Sequence, residues 1–117
     1  MLETIPNRYA GRSYQIELTF PEYTSICPLT GGPDFGTIAI RYVASDRLIE
    51  QKSLRDFLTG FRQREIFQEE AVNEVLDEVV ASCAPVFCEV EGVFNARGGT
   101  AVRVVARNGD DPSPGAS

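Results

Sequence analysis

The sequence predicts an α+β domain in which an antiparallel four-stranded sheet carries two consecutive helices on one face. Three observations lead to this class: strand-like patterns near the start, helical spacing in the middle, and strand-like patterns again near the end. The order is strand, strand, helix, helix, strand, strand, over residues 14–20, 37–43, 53–62, 68–82, 86–94 and 100–106.

The strands differ in how they are recognised. Residues 14–20 alternate polar and apolar side chains, which is typical of a strand with one face in water, and Pro21 is expected to end it. Residues 37–43 are apolar and β-branched. The last two strands are separated by the turn-forming residues 95–99, which predict a hairpin.

The helices follow from apolar spacing. In the first, apolar side chains fall at i, i+3, i+4 and i+7 from Leu54, with Ser53 as the expected N-cap. The second repeats this spacing from Val72 to Cys83, and Pro85 closes it. Two neighbouring helices between two pairs of strands fit one layer packed on one sheet.

Length and composition set the domain organisation. The chain has 117 residues, of which 43% are hydrophobic, which suits one domain over residues 1–109. Residues 110–117 are rich in Asp, Pro, Gly and Ser and are expected to be a disordered tail. Four strands leave open edges in a small domain, so we expect association into a homo-oligomer.

Charge and residue usage exclude several classes of function. The net charge of −6 disfavours direct nucleic-acid binding through phosphates. The absence of His excludes Ser-His-Asp and Cys-His sites and the usual Cys/His zinc sites, so no metal is expected. Three cysteines and no basic-then-apolar leader at the start predict reduced thiols, a cytoplasmic location and no membrane partner.

The segment CPLTGGPDF at positions 27–35 is chemically the most informative. It places the Cys27 thiol and the Asp34 carboxylate in one loop stiffened by two prolines. A thiolate can attack an electrophilic carbon, and a nearby carboxyl group can relay protons. From the loop alone, a structural thiol is the commoner case, and Cys83 and Cys88 are expected to be structural. With no His available, activation of the thiol is expected from Asp34, the substrate or a neighbouring subunit.

Four blocks along the chain resemble one family. The run FPEYTSICPLTGGPDF at positions 20–35 resembles the signature of the 7-cyano-7-deazaguanine reductases, the QueF nitrile reductases of queuosine biosynthesis, in their short single-module form. The blocks EQKSLRDF at 50–57, QE at 68–69 and FNARGG at 94–99 follow in the family's order. The resemblance extends to Gly109.

This resemblance implies a fold, an assembly and a reaction. The fold is the tunnelling fold shared with GTP cyclohydrolase, whose subunits associate into β-barrels with active sites between neighbours, here as a family-like pentamer or decamer. The small-molecule substrate is the deazapurine nitrile, which two molecules of NADPH reduce to the aminomethyl base for tRNA modification. No Gly-x-Gly-x-x-Gly element follows a strand, so a Rossmann mode of binding is not expected.

The resemblance also assigns residues. Cys27 forms a thioimide with the nitrile carbon, and Asp34 supplies protons to the nitrogen. The substrate-binding positions are Ile49, Glu50, Gln51, Gln68 and Glu69. The cofactor-binding positions are Lys52, Arg55, Arg97 and Gly98. From the residues alone, the helix macrodipole is the better explanation of Glu69, and an ordinary solvated helix face explains Lys52 and Arg55.

The departures from the family pattern cluster on the cofactor side. They are Gly32 for Gln, Gln51 for Ser or Leu, Arg55 for Lys, Asp56 for Leu or Tyr, and Gln68 for His. Two other functions stay open: the archaeosine-type amidinotransferase, which attacks the same nitrile in tRNA without NADPH, and a non-catalytic purine-binding module. The acidic charge disfavours a tRNA substrate.

Overall fold

A computed structural model describes residues 2–112 and confirms the predicted order of the long elements. Two short strands, β1 and β4, were not predicted. Within the described range the elements are β1 (Thr4–Pro6), β2 (Gln15–Ile26), β3 (Pro33–Val43), β4 (Arg47–Ile49), α1 (Gln51–Thr59), α2 (Gln68–Cys83), β5 (Phe87–Arg97) and β6 (Thr100–Gly109).

The four long strands form one antiparallel sheet in the order β2-β3-β5-β6, while β1 and β4 pair separately. The register of β2 with β3 places Ser25 opposite Asp34. Apart from a single bridge between Ile26 and Glu65, the outer edges of β2 and β6 pair with no other strand in the part of the chain described. The predicted α+β class is therefore confirmed, with two edges available for further pairing.

Both helices pack on one face of this sheet. α2 contacts β5 and β6, and α1 contacts β2. Burying a valine side chain fully in this layer stabilises the fold by about 1.5–3 kcal/mol, compared with leaving that side chain exposed to water. Side chains with at most 1% exposure include Val72, Val75 and Val79 of α2 and Ile38, Ile40 and Val90 of the sheet.

Pro21 does not end the first strand. β2 continues through it to Ile26, and the register shifts between Phe20 and Tyr23. Proline lacks the N–H that a ladder requires, but an outer strand with a bulge has a position where that donor is not needed. The prediction that Pro21 ends the strand was wrong because β2 is an outer strand with an irregularity at this point.

The start of α1 also differs from the prediction. The N-cap is Glu50, not Ser53, and its carboxylate accepts hydrogen bonds from the N–H groups of Lys52 and Ser53, each at 3.0 Å. A carboxylate at this end is favoured by the free N–H groups and by the helix dipole. The helix ends at Thr59, three residues before the predicted end.

The last hairpin is tighter than predicted. Arg97 pairs with Thr100, so only Gly98 and Gly99 form the turn, with φ of 58° and 87°. Positive φ at both central residues is the geometry of a two-residue hairpin, which glycine adopts without strain. Beyond β6, Asp111 pairs with Arg41 at 2.8 Å, and positions 113–117 of the expected tail lie outside the described residues.

Candidate active site

The Cys27 loop connects β2 to β3 and is closed by its own backbone. The N–H of Cys27 donates to the carbonyl of Gly32, and the N–H of Gly31 donates to the carbonyl of Cys27, both at 2.9 Å. Gly31 has φ of 72°, which glycine reaches more easily than other residues. The loop therefore fixes the backbone of a cysteine whose side chain is partly exposed.

The end of β2 anchors this loop to the core. Tyr23 and Ser25 are 1% and 0% exposed, and the Tyr23 hydroxyl donates to Ser25 Oγ at 2.8 Å. The N–H of Ile26 donates to the carbonyl of Arg64 at 2.9 Å, and the carbonyl of Ile26 accepts from Ile66 at 3.1 Å. Cys27 thus follows a segment held by both the sheet and the connection between the helices.

Asp34 lies in β3 rather than in the loop, which corrects the expectation that thiol and carboxylate share one loop. The residue is 6% exposed. Arg97 at the end of β5 donates from Nη1 to Asp34 Oδ1 at 2.8 Å. This hydrogen bond is the chief cause of the raised pKa of Arg97, and the sulfur of Cys27 acts in the same direction. The carboxylate is therefore held by strand pairing and by a partner distant in sequence.

The pKa of the Cys27 thiol is lowered by contacts within its own loop. The pKa of Cys27 is lowered first by a hydrogen bond from the Thr30 side chain and then by the backbone N–H groups of Thr30 and Leu29. Asp34 raises this pKa, because a nearby negative charge disfavours the thiolate. The contribution of Thr30 was not predicted, and activation of Cys27 by Asp34 acting as a base stays a prediction.

One open cleft of about 440 Å³ gathers six of the predicted residues. Gln68 and Glu69 reach it from the first turn of α2, and Phe67, which precedes that helix, is 42% exposed beside them. Sequence reasoning missed Thr30, Phe67, Asn95, Thr100 and Val102 as lining residues. The predicted residues that share the cleft are Cys27, Asp34, Gln68, Glu69, Arg97 and Gly98.

The other predicted residues lie apart from this cleft, around the start of α1. Gln51 and Arg55 line a second cleft of about 220 Å³ between α1 and the sheet. Ile49 is 5% exposed, and Glu50 caps α1. Exposed Lys52 pairs with Asp56 at 3.1 Å. Within one chain, the structure does not bring this group to Cys27.

Cys83 and Cys88 are buried, in agreement with the structural role expected of them. Burial raises the pKa of both thiols, to about 12 for Cys88. A thiol that stays protonated is a poor nucleophile. Of the three cysteines, Cys27 alone combines partial exposure with a lowered pKa.

Fold and cleft together define an α+β domain of the tunnelling-fold class with a thiol and a carboxylate in one cleft. Residues 33–113 match the family model described as QueF-like protein. The chain belongs to this family. The match to the family model begins after Cys27. The matches to two individual relatives cover 96% and 97% of this chain, and they therefore include the Cys27 loop.

Two relatives carry the same name, NADPH-dependent 7-cyano-7-deazaguanine reductase. One, from Anaeromyxobacter sp. (strain K), is 45% identical over 112 residues, which cover 96% of this chain and 92% of the relative. The other, from Nitratidesulfovibrio vulgaris (strain DP4), is 39% identical over 114 residues, which cover 97% of this chain and 69% of the relative.

A solved structure agrees with the fold. The crystal structure of the archaeosine synthase QueF-Like in the apo form matches with a TM-score of 0.78 over 84% of this chain and 96% of that chain. The two sequences are 24% identical, so this likeness supports the architecture and not the reaction. Neither helix in the described range is long and apolar enough to cross a membrane.

Proposed function

We propose that this chain is a nitrile reductase that converts 7-cyano-7-deazaguanine to 7-aminomethyl-7-deazaguanine with two NADPH, in queuosine biosynthesis. The observation that carries the proposal is the Cys27 thiol of lowered pKa, which opens into a cleft together with buried Asp34. The relatives named as reductases of this base, at 39% and 45% identity, support the substrate and the cofactor.

Cys27 begins the reaction as a nucleophile. Its sulfur forms a bond to the nitrile carbon, one π bond of the nitrile breaks, and the nitrogen takes up a proton to give a thioimide. Hydride addition and release of the thiolate then give an imine. A second hydride to the same carbon completes the four-electron reduction to the primary amine. Cys27 is unchanged at the end.

Asp34 relays the protons that the nitrogen gains. General acid–base groups contribute about 10²–10⁴-fold when held at the right place. Strand pairing and the Arg97 hydrogen bond hold this carboxylate at the cleft wall. The carboxylate therefore serves the nitrogen of the substrate, while the activation of the thiol comes from its own loop.

Glu69 and Gln68 recognise the base. The Glu69 side chain is exposed at the cleft, and a carboxylate can accept hydrogen bonds from both the ring N–H and the amino group of a guanine-like edge. Gln68 donates or accepts beside it but cannot change its charge near neutral pH. This pair selects a guanine-like base over bases without two adjacent donors.

NADPH supplies hydride to the nitrile carbon, and Lys52 and Arg55 are suited to hold its phosphates. Both are exposed cationic side chains on α1. The predicted contact between Arg97 and the cofactor stays a prediction, since Arg97 here binds Asp34 and Thr30. Asp56 pairs with Lys52 and places a negative charge among the cationic side chains.

The separation of the α1 group from Cys27 supports a site shared between subunits. We place Ile49, Glu50, Gln51, Lys52 and Arg55 of one subunit beside the Cys27 cleft of a neighbour, in a homo-oligomer of the family-like pentamer or decamer type. The unpaired outer edges of β2 and β6 are suited to join the sheets into a barrel. We assign the protein to the cytoplasm, where tRNA is modified.

The test mixes purified protein with 7-cyano-7-deazaguanine and NADPH and follows the nicotinamide absorbance. We expect two NADPH oxidised for each amine formed. A covalent adduct without oxidation would point instead to an amidinotransferase, and neither adduct nor oxidation to a binding module. Light scattering during size-exclusion chromatography tests the assembly, and a stable monomer with full activity would contradict shared sites.

A further inference from the structure

Thr30 lies at the centre of the contacts around Cys27. The N–H of Gly32 donates to Thr30 Oγ1 at 3.2 Å, and Arg97 donates from Nη2 to the same oxygen at 3.2 Å. The guanidinium of Arg97 lies over Gly32, where an added Cβ would be 2.5 Å from Nη2 and would require the arginine side chain to shift. A single hydroxyl thus contacts the loop backbone and the cation that also binds Asp34.

These contacts occupy the hydroxyl oxygen of Thr30 as an acceptor and leave its proton free to be donated. A threonine hydroxyl has one proton to donate and two lone pairs that accept. Gly32 and Arg97 are both donors and occupy the acceptor side. The proton is therefore free for another acceptor, and Cys27 lies three positions earlier in the same closed loop and lines the same cleft as Thr30.

We propose that Thr30 is a positioning residue for the reaction, whose hydroxyl donates to Cys27 Sγ and holds the thiolate at the cleft. This inference rests on the proposed role of Cys27 as the nucleophile. Because Arg97 contacts both Thr30 and Asp34, the same guanidinium also sets the position of the proton relay relative to the sulfur.

Electrostatics support this geometry. The Thr30 side chain is the largest cause of the lowered pKa of Cys27, ahead of the two backbone N–H groups. Hydrogen bonding to a charged form favours that form. In a chain without histidine, the Thr30 hydroxyl is a neutral donor for the thiolate, alongside the nearby guanidinium of Arg97.

The test is the pH dependence of Cys27 alkylation by iodoacetamide, read by peptide mass spectrometry in the full chain. The variants are Thr30→Val, which keeps the shape but removes the hydroxyl, and Thr30→Ser, which keeps the hydroxyl. Thr19→Val is the control, since Thr19 is an exposed threonine of β2 that does not line this cleft. Cys83 and Cys88 are buried internal references in every sample.

We expect Thr30→Val to move the midpoint of the alkylation profile upward and to slow alkylation at pH 7 by roughly three- to tenfold, as loss of one charge-assisted hydrogen bond implies. Thr30→Ser should stay within about twofold of the native rate, and Thr19→Val should have no effect. An unchanged profile in Thr30→Val would overturn the proposal. So would a Thr30→Ser profile that matches Thr30→Val.

The readout separates this proposal from the proposed function. Alkylation requires neither the nitrile base nor NADPH. If Thr30→Val shifts the profile while the native chain oxidises no NADPH, the role of Thr30 toward the thiol stands and the reductase assignment fails. If turnover is normal and the profile does not move, the inference about Thr30 fails alone.

Discussion

Arg97 donates a hydrogen bond to Asp34 across 63 positions of sequence, at 2.8 Å. The Asp34 side chain is 8% exposed and the Arg97 side chain 40%, so the carboxylate is the partner that depends on the contact. A buried carboxylate without a compensating partner is unfavourable. The Asp34 carboxylate is therefore held in place from the β5–β6 hairpin.

Asp34→Asn removes the proposed proton relay while keeping the size of the side chain. We expect NADPH oxidation to slow by about 10²–10⁴-fold, because the amide cannot exchange protons with the substrate nitrogen. The adduct at Cys27 should still form, as seen by intact mass. Asp77→Asn, an exposed position on α2, is the control and should oxidise NADPH at the native rate. Native turnover in Asp34→Asn would contradict the relay.

Arg97→Ala distinguishes a role toward Asp34 from a role toward NADPH. We expect kcat to fall about tenfold or more, with KM for NADPH changed by less than about threefold, since the lost contacts are to Asp34 and Thr30. Arg103→Ala is the control, because Arg103 lies in the same hairpin and binds Glu91 instead. A rise in KM for NADPH with native kcat would place Arg97 at the cofactor.

Glu69 and Glu70 form a matched pair of neighbouring exposed carboxylates, of which only Glu69 lines the Cys27 cleft. Glu69→Gln should lower kcat/KM for the nitrile base about a hundredfold or more, because the amide cannot accept from two donors as a carboxylate does. Glu70→Gln should leave kcat/KM near the native value. Equal effects of the two changes would show that helix charge, not base recognition, is responsible.

Asp56→Asn should strengthen NADPH binding. The change removes a negative charge beside Lys52, which pairs with Asp56 across an exposed helix face. Because exposed ion pairs are weak, we expect KM for NADPH to fall by only about two- to fivefold. The fall in KM should become smaller as salt is raised, since salt screens the repulsion between Asp56 and the phosphates of NADPH. Asp46→Asn is the control, because Asp46 is also exposed. An equal fall in KM for NADPH in Asp46→Asn would indicate a general effect of net charge.

Local patterns predicted the fold well. Apolar periodicity predicted the C-terminal end of α2 to within one residue. The helical and strand-like periodicities together predicted the order of the six long elements. Boundaries failed where a tertiary feature overrides a local rule. Pro21 is tolerated because β2 is an outer strand with a bulge, and Glu50 replaces Ser53 as the cap of α1.

The site was predicted less completely. The loop motif and the resemblance indicated Cys27, Asp34 and Glu69, and these line one cleft. The link from Arg97 to Asp34 joins residues that are far apart along the chain, so no spacing rule could indicate it. Thr30 lies only three positions after Cys27, but the role proposed for it depends on which donors occupy its oxygen, and only the folded structure shows those donors.

Covalent capture of the nitrile by Cys27 is the central claim, and intact mass spectrometry without NADPH tests it most directly. Native protein mixed with 7-cyano-7-deazaguanine should gain the mass of one base per chain, with the modified peptide containing Cys27. Cys27→Ala should gain nothing, and Cys83→Ala should react like the native protein. An adduct that persists in Cys27→Ala, or native turnover in that variant, would contradict the account.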